Sequence, residues 1–155
     1  MAPTAGDILF VDTNVLLTAT DESRPQHQDA IRLLAGSGSN GMHLAASGQI
    51  LREYLVVATR PVDVNGFGLS VRDATANVNE FLRRIHLYDE TEDVARRLRQ
   101  IALTHGLSGK RLHDANVVAT MATHGIPTLV TQNAEDFALF DEIDLVAVSD
   151  VAVGE

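Results

Sequence analysis

Cysteine is absent from this chain of 155 residues, which excludes disulfide bridges and zinc–thiolate centres. A reducing compartment fits that composition. No apolar run approaches the roughly 18 residues that a membrane span needs. The chain does not open on a basic segment followed by an apolar one, so no signal peptide is expected, and a soluble, cytoplasmic protein is. Positive charge is scarce: 12 Lys and Arg face 21 Asp and Glu, for a formal charge of −9. That balance argues against a non-specific nucleic-acid binder, whose affinity comes from neutralising phosphates. It says less about a local site, because a bound cation neutralises the acids around it. Basic residues also gather locally, at Arg52, Arg60, Arg83-Arg84, Arg96-Arg97-Arg99 and Lys110-Arg111. The six histidines show no zinc-ligand spacing, and no serine stands in a nucleophile-elbow context. Gly66-Phe67-Gly68 lacks the third glycine of a dinucleotide fingerprint. Repeats and low-complexity stretches are missing too. One domain over residues 1–155 is expected, with its core at about 8–148.

What is present is an alternation of short apolar runs and helical patterns. Apolar residues make up 45 % of the chain, enough for a real core. Ile8-Leu9-Phe10-Val11 reads as a buried strand ending at Asp12, followed by an apolar turn at Val15-Leu16-Leu17. Pro25 opens a helix, and Gly36 to Gly41 reads as a loop. Met42 to Ala46 is a second strand, and Ser47 is placed to cap a helix that runs to Thr59. The segment from Arg60 to Ser70, with Asn65-Gly66 and Gly68, is a surface loop. Ser70 and Asp73 resemble a capping box. His86-Leu87-Tyr88 and Thr128-Leu129-Val130 are further strands, and Leu145 to Val148 is the last. Thr104-His105-Gly106-Leu107 and Thr123-His124-Gly125-Ile126 end two helices in the same way, with Gly just past the last turn and an apolar residue after it. The pattern predicts an α/β fold with a parallel sheet covered by helices on both faces. Ligands in such sheets bind beyond the carboxyl ends of the strands.

Four acids stand in distinctive contexts: Asp12 in Phe10-Val11-Asp12-Thr13-Asn14, Glu53 in Gln49-Ile50-Leu51-Arg52-Glu53-Tyr54-Leu55, Asp114 in Leu112-His113-Asp114-Ala115-Asn116, and Asp136 in Thr131-Gln132-Asn133-Ala134-Glu135-Asp136-Phe137. Asp12, Asp114 and Asp136 each have a plain alternative as a helix cap or a first-turn acid serving the helix dipole. Glu53 is harder to explain as a cap. Its helical neighbours are Gln49, Ile50, Val56 and Val57, so its surroundings are largely apolar and its carboxylate requires a partner, either an arginine such as Arg52 or Arg60, or a metal. Glu135 competes with Asp136 for any role there. Taken together, the four suggest a carboxylate cluster for a hard divalent cation, and hence phosphodiester chemistry.

In this order, the four contexts resemble the PIN-domain family, specifically the VapC-type toxins of bacterial toxin–antitoxin pairs. The resemblance runs from Ile8 to about Val148, with Thr59-Arg60-Pro61 and the loop to Ser70 similar to a subgroup. It implies a three-layer α/β/α PIN-like domain with a central parallel sheet and a magnesium- or manganese-dependent endoribonuclease activity. It implies Asp12 and Asp114 as metal ligands, with Glu53 and Asp136 completing the acidic pocket as catalytic residues. Thr13 and Asn14 would orient Asp12, and Thr131 and Asn133 would support their loop. Read from position alone, Asn116 and His113 either support Asp114 or face solvent. Arg52, Arg60, Lys110 and Arg111 are candidates for steering substrate phosphates. Attack in line would leave a 5′-phosphate and a 3′-hydroxyl. An RNA substrate, a cognate antitoxin and a homodimer are the implied partners, and no membrane. Two other readings fit the same acids: a DNA-directed nuclease or phosphoesterase, and a non-catalytic binding module.

Overall fold

The computed structural model describes residues 3–4, 6–36 and 41–152. Five parallel strands form one sheet: β1 (Ile8–Val11), β2 (His43–Ser47), β3 (Ile85–Tyr88), β4 (Thr128–Val130) and β5 (Asp144–Val146), in the order β3-β2-β1-β4-β5. Successive strand residues face opposite sides of a sheet. Leu9, Phe10 and Val11 are nonetheless all fully buried, so β1 is covered on both faces. Helices supply that cover: α1 (Thr13–Thr20), α2 (His27–Gly36), α3 (Gly48–Thr59), α4 (Val71–Leu82), α5 (Glu92–His105), α6 (Arg111–Thr123), the short α7 (Ala134–Phe137) and α8 (Val148–Ala152). This is the expected α/β architecture. The buried apolar side chains join in one cluster, from Leu9 on β1 to Val151 on α8.

Local chemistry accounts for most element ends. Ser70 caps α4 by accepting from the Asp73 N–H, and Thr91 caps α5 by accepting from Val94. The two similar helix stops behave alike. Gly106 and Gly125 take left-handed φ values of 64° and 69°, and the next residues, Leu107 and Ile126, bond back to Ala102 and Met121. Between α3 and α4 the chain makes a 3₁₀ turn at Val62–Val64. Gly66 lies there so close to Arg60 that a Cβ would sit 1.9 Å from the Arg60 carbonyl oxygen.

Four expectations change. The apolar turn after Asp12 is the middle of an eight-residue helix, α1, whose Val15, Leu16 and Leu17 are buried. The helix after Pro25 begins at His27. Val148 starts α8 instead of extending β5, and α8 packs on α2. Ser47 precedes α3 but its hydroxyl makes no capping bond; the Gln49 N–H in the first turn donates instead to Glu90 Oε2, at 3.0 Å, from the segment after β3. Most of the predicted Gly36–Gly41 loop, residues 37–40, lies outside the described residues.

Candidate active site

The chain runs from β1 to β2 to β3 along one side of the sheet, then returns to lay β4 against the other side of β1. The direction of winding therefore reverses between β1 and β4, and such reversals open a crevice at the strands' carboxyl ends. Asp12 and Thr131 follow the last paired residues of these strands, Val11 and Val130. Backbone bonds continue just past both ends, from Asp12 N–H to the Val130 carbonyl and from Thr131 N–H to that of Val146. The two side chains are thus set next to each other by the sheet itself.

Asp12 is 8 % exposed. One carboxylate oxygen accepts the Thr13 N–H at 2.8 Å, and the other accepts the Thr131 hydroxyl at 2.7 Å. The hydroxyl has no choice of direction. Its oxygen receives the Asn133 N–H at 3.0 Å and the Asn14 Nδ2 at 3.4 Å, so its own proton points at Asp12. Both oxygens of Asp12 are acceptors, the arrangement that suits an ionised carboxylate. Burial nevertheless raises its pKa from 3.8 to about 6; the Thr131 and Thr13 bonds pull it down, and the charges of Glu53 and Asp114 push it up. Asn14 also accepts the Gln132 N–H, tying α1 to the loop after β4.

Glu53, on α3, is half-buried and takes one bond on each oxygen: from the Thr13 hydroxyl at 2.9 Å and from Gln49 Nε2 at 2.9 Å. Among the described residues no arginine pairs with it, so the ion-pair explanation for Glu53 is not met. Asp114 lies in the first turn of α6, half-buried. Its pKa is raised by burial and then by the charge of Asp136; Arg111 opposes this, Glu53 adds to it and His113 subtracts. Arg111 Nε stands 3.6 Å from Asp114 and its guanidinium donates to the Asp136 carbonyl at 3.0 Å. Asp136 is exposed in α7, on the rim. The charges of Asp12, Glu53 and Asp114 thus act on one another, and Asp136 joins them through Asp114.

The remaining predicted residues divide. Thr13, Asn14 and Thr131 bind within the cluster, as described, and Asn133 joins it through its backbone N–H, its side chain making no cap bond. Arg52 is exposed and, with Thr13, Glu53, Val56, Val57 and His113, lines a cavity of about 450 Å³ beside the acids. Lys110 is exposed at the start of α6. Arg60 is instead the residue that ends α3, and its carbonyl accepts the Gly68 N–H. Asn116 donates not to Asp114 but to Gln49 Oε1 at 2.7 Å and Glu90 Oε1 at 2.8 Å. Gln49 and Glu90 escaped the sequence reading as site residues. The one local signal was Gln49 standing four residues before Glu53 on a buried helix face.

The donor set is all oxygen, as a hard cation requires. Among the described residues no group of three or more His, Asp or Glu side chains is placed to hold a metal ion together. Magnesium fits such an open set, since it commonly takes one or two carboxylates and keeps several waters.

The sequence pattern of the PIN domain matches residues 9–144. Ribonuclease VapC24 of Mycobacterium tuberculosis is 28 % identical over 141 residues, covering 86 % of this chain and 91 % of that protein. Among solved structures, Mycobacterium tuberculosis VapC20, described as a sarcin-ricin loop cleaving toxin, superposes with a TM-score of 0.65 at 20 % identity, covering 87 % of this chain and 98 % of that one. VapBC2 from Rickettsia felis, bound to a promoter DNA fragment, gives 0.67 at 17 %, covering 90 % and 98 %. The matched span takes in Asp12, Glu53, Asp114 and Asp136 together with β2, β3, β4 and all of β1 but Ile8. The chain belongs to the PIN domain family.

Proposed function

We propose that this chain is a divalent-cation-dependent endoribonuclease of the VapC toxin type, inhibited by a cognate antitoxin. The observation that carries the reading is the acid cluster at the β1–β4 switch point: four carboxylates from four elements, two with raised pKa values. Its likeness to a named ribonuclease over most of both chains supports RNA as the substrate.

Asp12 and Asp114 are the residues that would hold magnesium or manganese. Bound there, the cation would lower the pKa of a water and offset charge on the scissile phosphate. Glu53 is held as an acceptor on both oxygens and fixes the back wall of the pocket. Asp136, exposed and with no side-chain hydrogen bond to another described residue, is the freer group to take a proton from water. Arg52 and Arg111, with Lys110 on the outer side, supply local positive charge for substrate phosphates on a chain of net charge −9. Val56, Val62, Val64 and Val71 are 55 %, 73 %, 50 % and 69 % exposed along the end of α3, the 3₁₀ turn and the start of α4. These exposed valines on consecutive segments support a protein partner there, a second copy or the antitoxin.

The test is cleavage of RNA, DNA and a small phosphoester in magnesium by the wild type and by Asp114→Asn. RNA cleavage should fall by roughly two orders of magnitude or more, the usual cost of losing a group that stabilises the transition state. Preference for DNA or the phosphoester, or equal cleavage by the variant, overturns the reading.

A further inference from the structure

Gln49 is 1 % exposed, and every hydrogen-bonding atom of its amide is used. Nε2 donates to Glu53 Oε2 at 2.9 Å and to the carbonyl of His113, the residue before Asp114, at 2.8 Å. Oε1 accepts from Asn116 Nδ2 at 2.7 Å. The amide cannot be turned over, because its oxygen would then face a carboxylate and a carbonyl while its NH₂ faced that of Asn116. Asn116 is fixed in turn by Glu90, which also accepts the Gln49 backbone N–H. A continuous line of bonds thus runs from Asp12 through the Thr13 backbone and hydroxyl to Glu53, on to Gln49, and across to the peptide beside Asp114.

We propose that Gln49 is a positioning residue for the cation site: it holds the Glu53 carboxylate in one orientation and fixes its spacing to Asp114 on α6. This rests on the reading of the acids as a cation site. A buried glutamine with only a packing role has no need to join one acid to the backbone next to another. An apolar side chain of the same length would keep the packing of α3 and release Glu53 Oε2, the His113 carbonyl and Asn116 together.

The experiment is manganese binding, read by calorimetry and by the free-ion electron paramagnetic resonance signal. It compares wild type, Gln49→Met, Glu53→Gln and the double variant, each confirmed folded by its thermal melt. Gln49→Met should bind manganese about ten- to a hundredfold more weakly, the usual effect of removing an outer-shell partner of a metal site. In the Glu53→Gln background the same change should cost several-fold less than in the wild type, because the carboxylate it orients is gone and only the bond to the His113 carbonyl is left to lose. Unchanged affinity in Gln49→Met, or full additivity of the two changes, overturns the proposal while leaving the ribonuclease reading intact. Absence of manganese binding by the wild type overturns both. Should Gln49→Met fail to fold, the wild-type Gln49 side-chain NH₂ resonances decide: they should shift on saturation with magnesium, and resonances that stay in place overturn the role.

Discussion

Lowering the pH from 7.5 to 5 should weaken divalent-cation binding by about tenfold through Asp12 alone, since the cation needs the carboxylate and the proton competes for it. The size follows from a pKa of about 6: the group is ionised at 7.5 and mostly protonated at 5. Asp114, also raised, adds to the effect in the same direction. The sign for folding is the opposite. A carboxyl held near 6 instead of 3.8 binds its proton more tightly when folded. Its contribution to stability is therefore fully present below about 3.8 and lost as the pH rises through 6; at neutral pH the buried charge costs the cation-free protein about 3 kcal/mol. Between pH 5 and 7.5 this group works against the metal-free fold, and added manganese should recover more stability at 7.5 than at 5. Calorimetry at pH 6 in buffers of different ionisation heat should show roughly half a proton released from Asp12 per cation bound. Affinity that stays flat from 7.5 to 5, with heats independent of buffer at pH 6, would refute the assignment of Asp12 as a ligand.

Two further outcomes follow from the same geometry. Thr131→Val removes the donor to Asp12 and strands the Asn133 N–H, so a urea melt should lose about 1–3 kcal/mol; the midpoint of the pH dependence of manganese binding should also move above that of the wild type, because the lost bond holds the Asp12 pKa down, and an unmoved midpoint counts against the described network. Gly66→Ala places a Cβ at 1.9 Å from the Arg60 carbonyl oxygen, which forces the turn between α3 and α4 to move; a loss of about 2 kcal/mol or more in a urea melt is expected, and a variant as stable as wild type refutes the close approach.

The fold was legible in the sequence where its signals are local. Short apolar runs marked β1 to β4, and glycine followed by an apolar residue marked the ends of α5 and α6, because a strand's burial and a left-handed stop are decided within a few residues. Reading failed where neighbours decide. Val15, Leu16 and Leu17 are apolar on every side, a pattern too short to show a helical period. Val146-Ala147-Val148 looks continuous, yet β5 stops at Val146 and Val148 begins a helix against α2. At the site, cap and acid were posed as alternatives for Asp12, and one carboxylate does both: it accepts the Thr13 N–H and lies among the other acids. What holds Glu53 was not legible beyond its helix. Gln49 reaches it from one turn away, but the grip on Gln49 comes from Glu90 and Asn116, side chains brought in by β3 and α6.

The bond between Thr131 and Asp12 spans 119 positions of the chain, and that has a kinetic meaning. Helices such as α5 and α6 close small loops and can form early, whereas joining β4 to β1 closes almost the longest loop available and carries the greatest entropy cost of ordering. By sequence separation, the β1–β4 seam that completes the acid pocket is predicted to close after the local helices, which pulse-labelled hydrogen exchange during refolding would test. A chain still emerging from synthesis, or one whose β1–β4 seam has opened, lacks the Thr131 bond to Asp12 and presents no complete site.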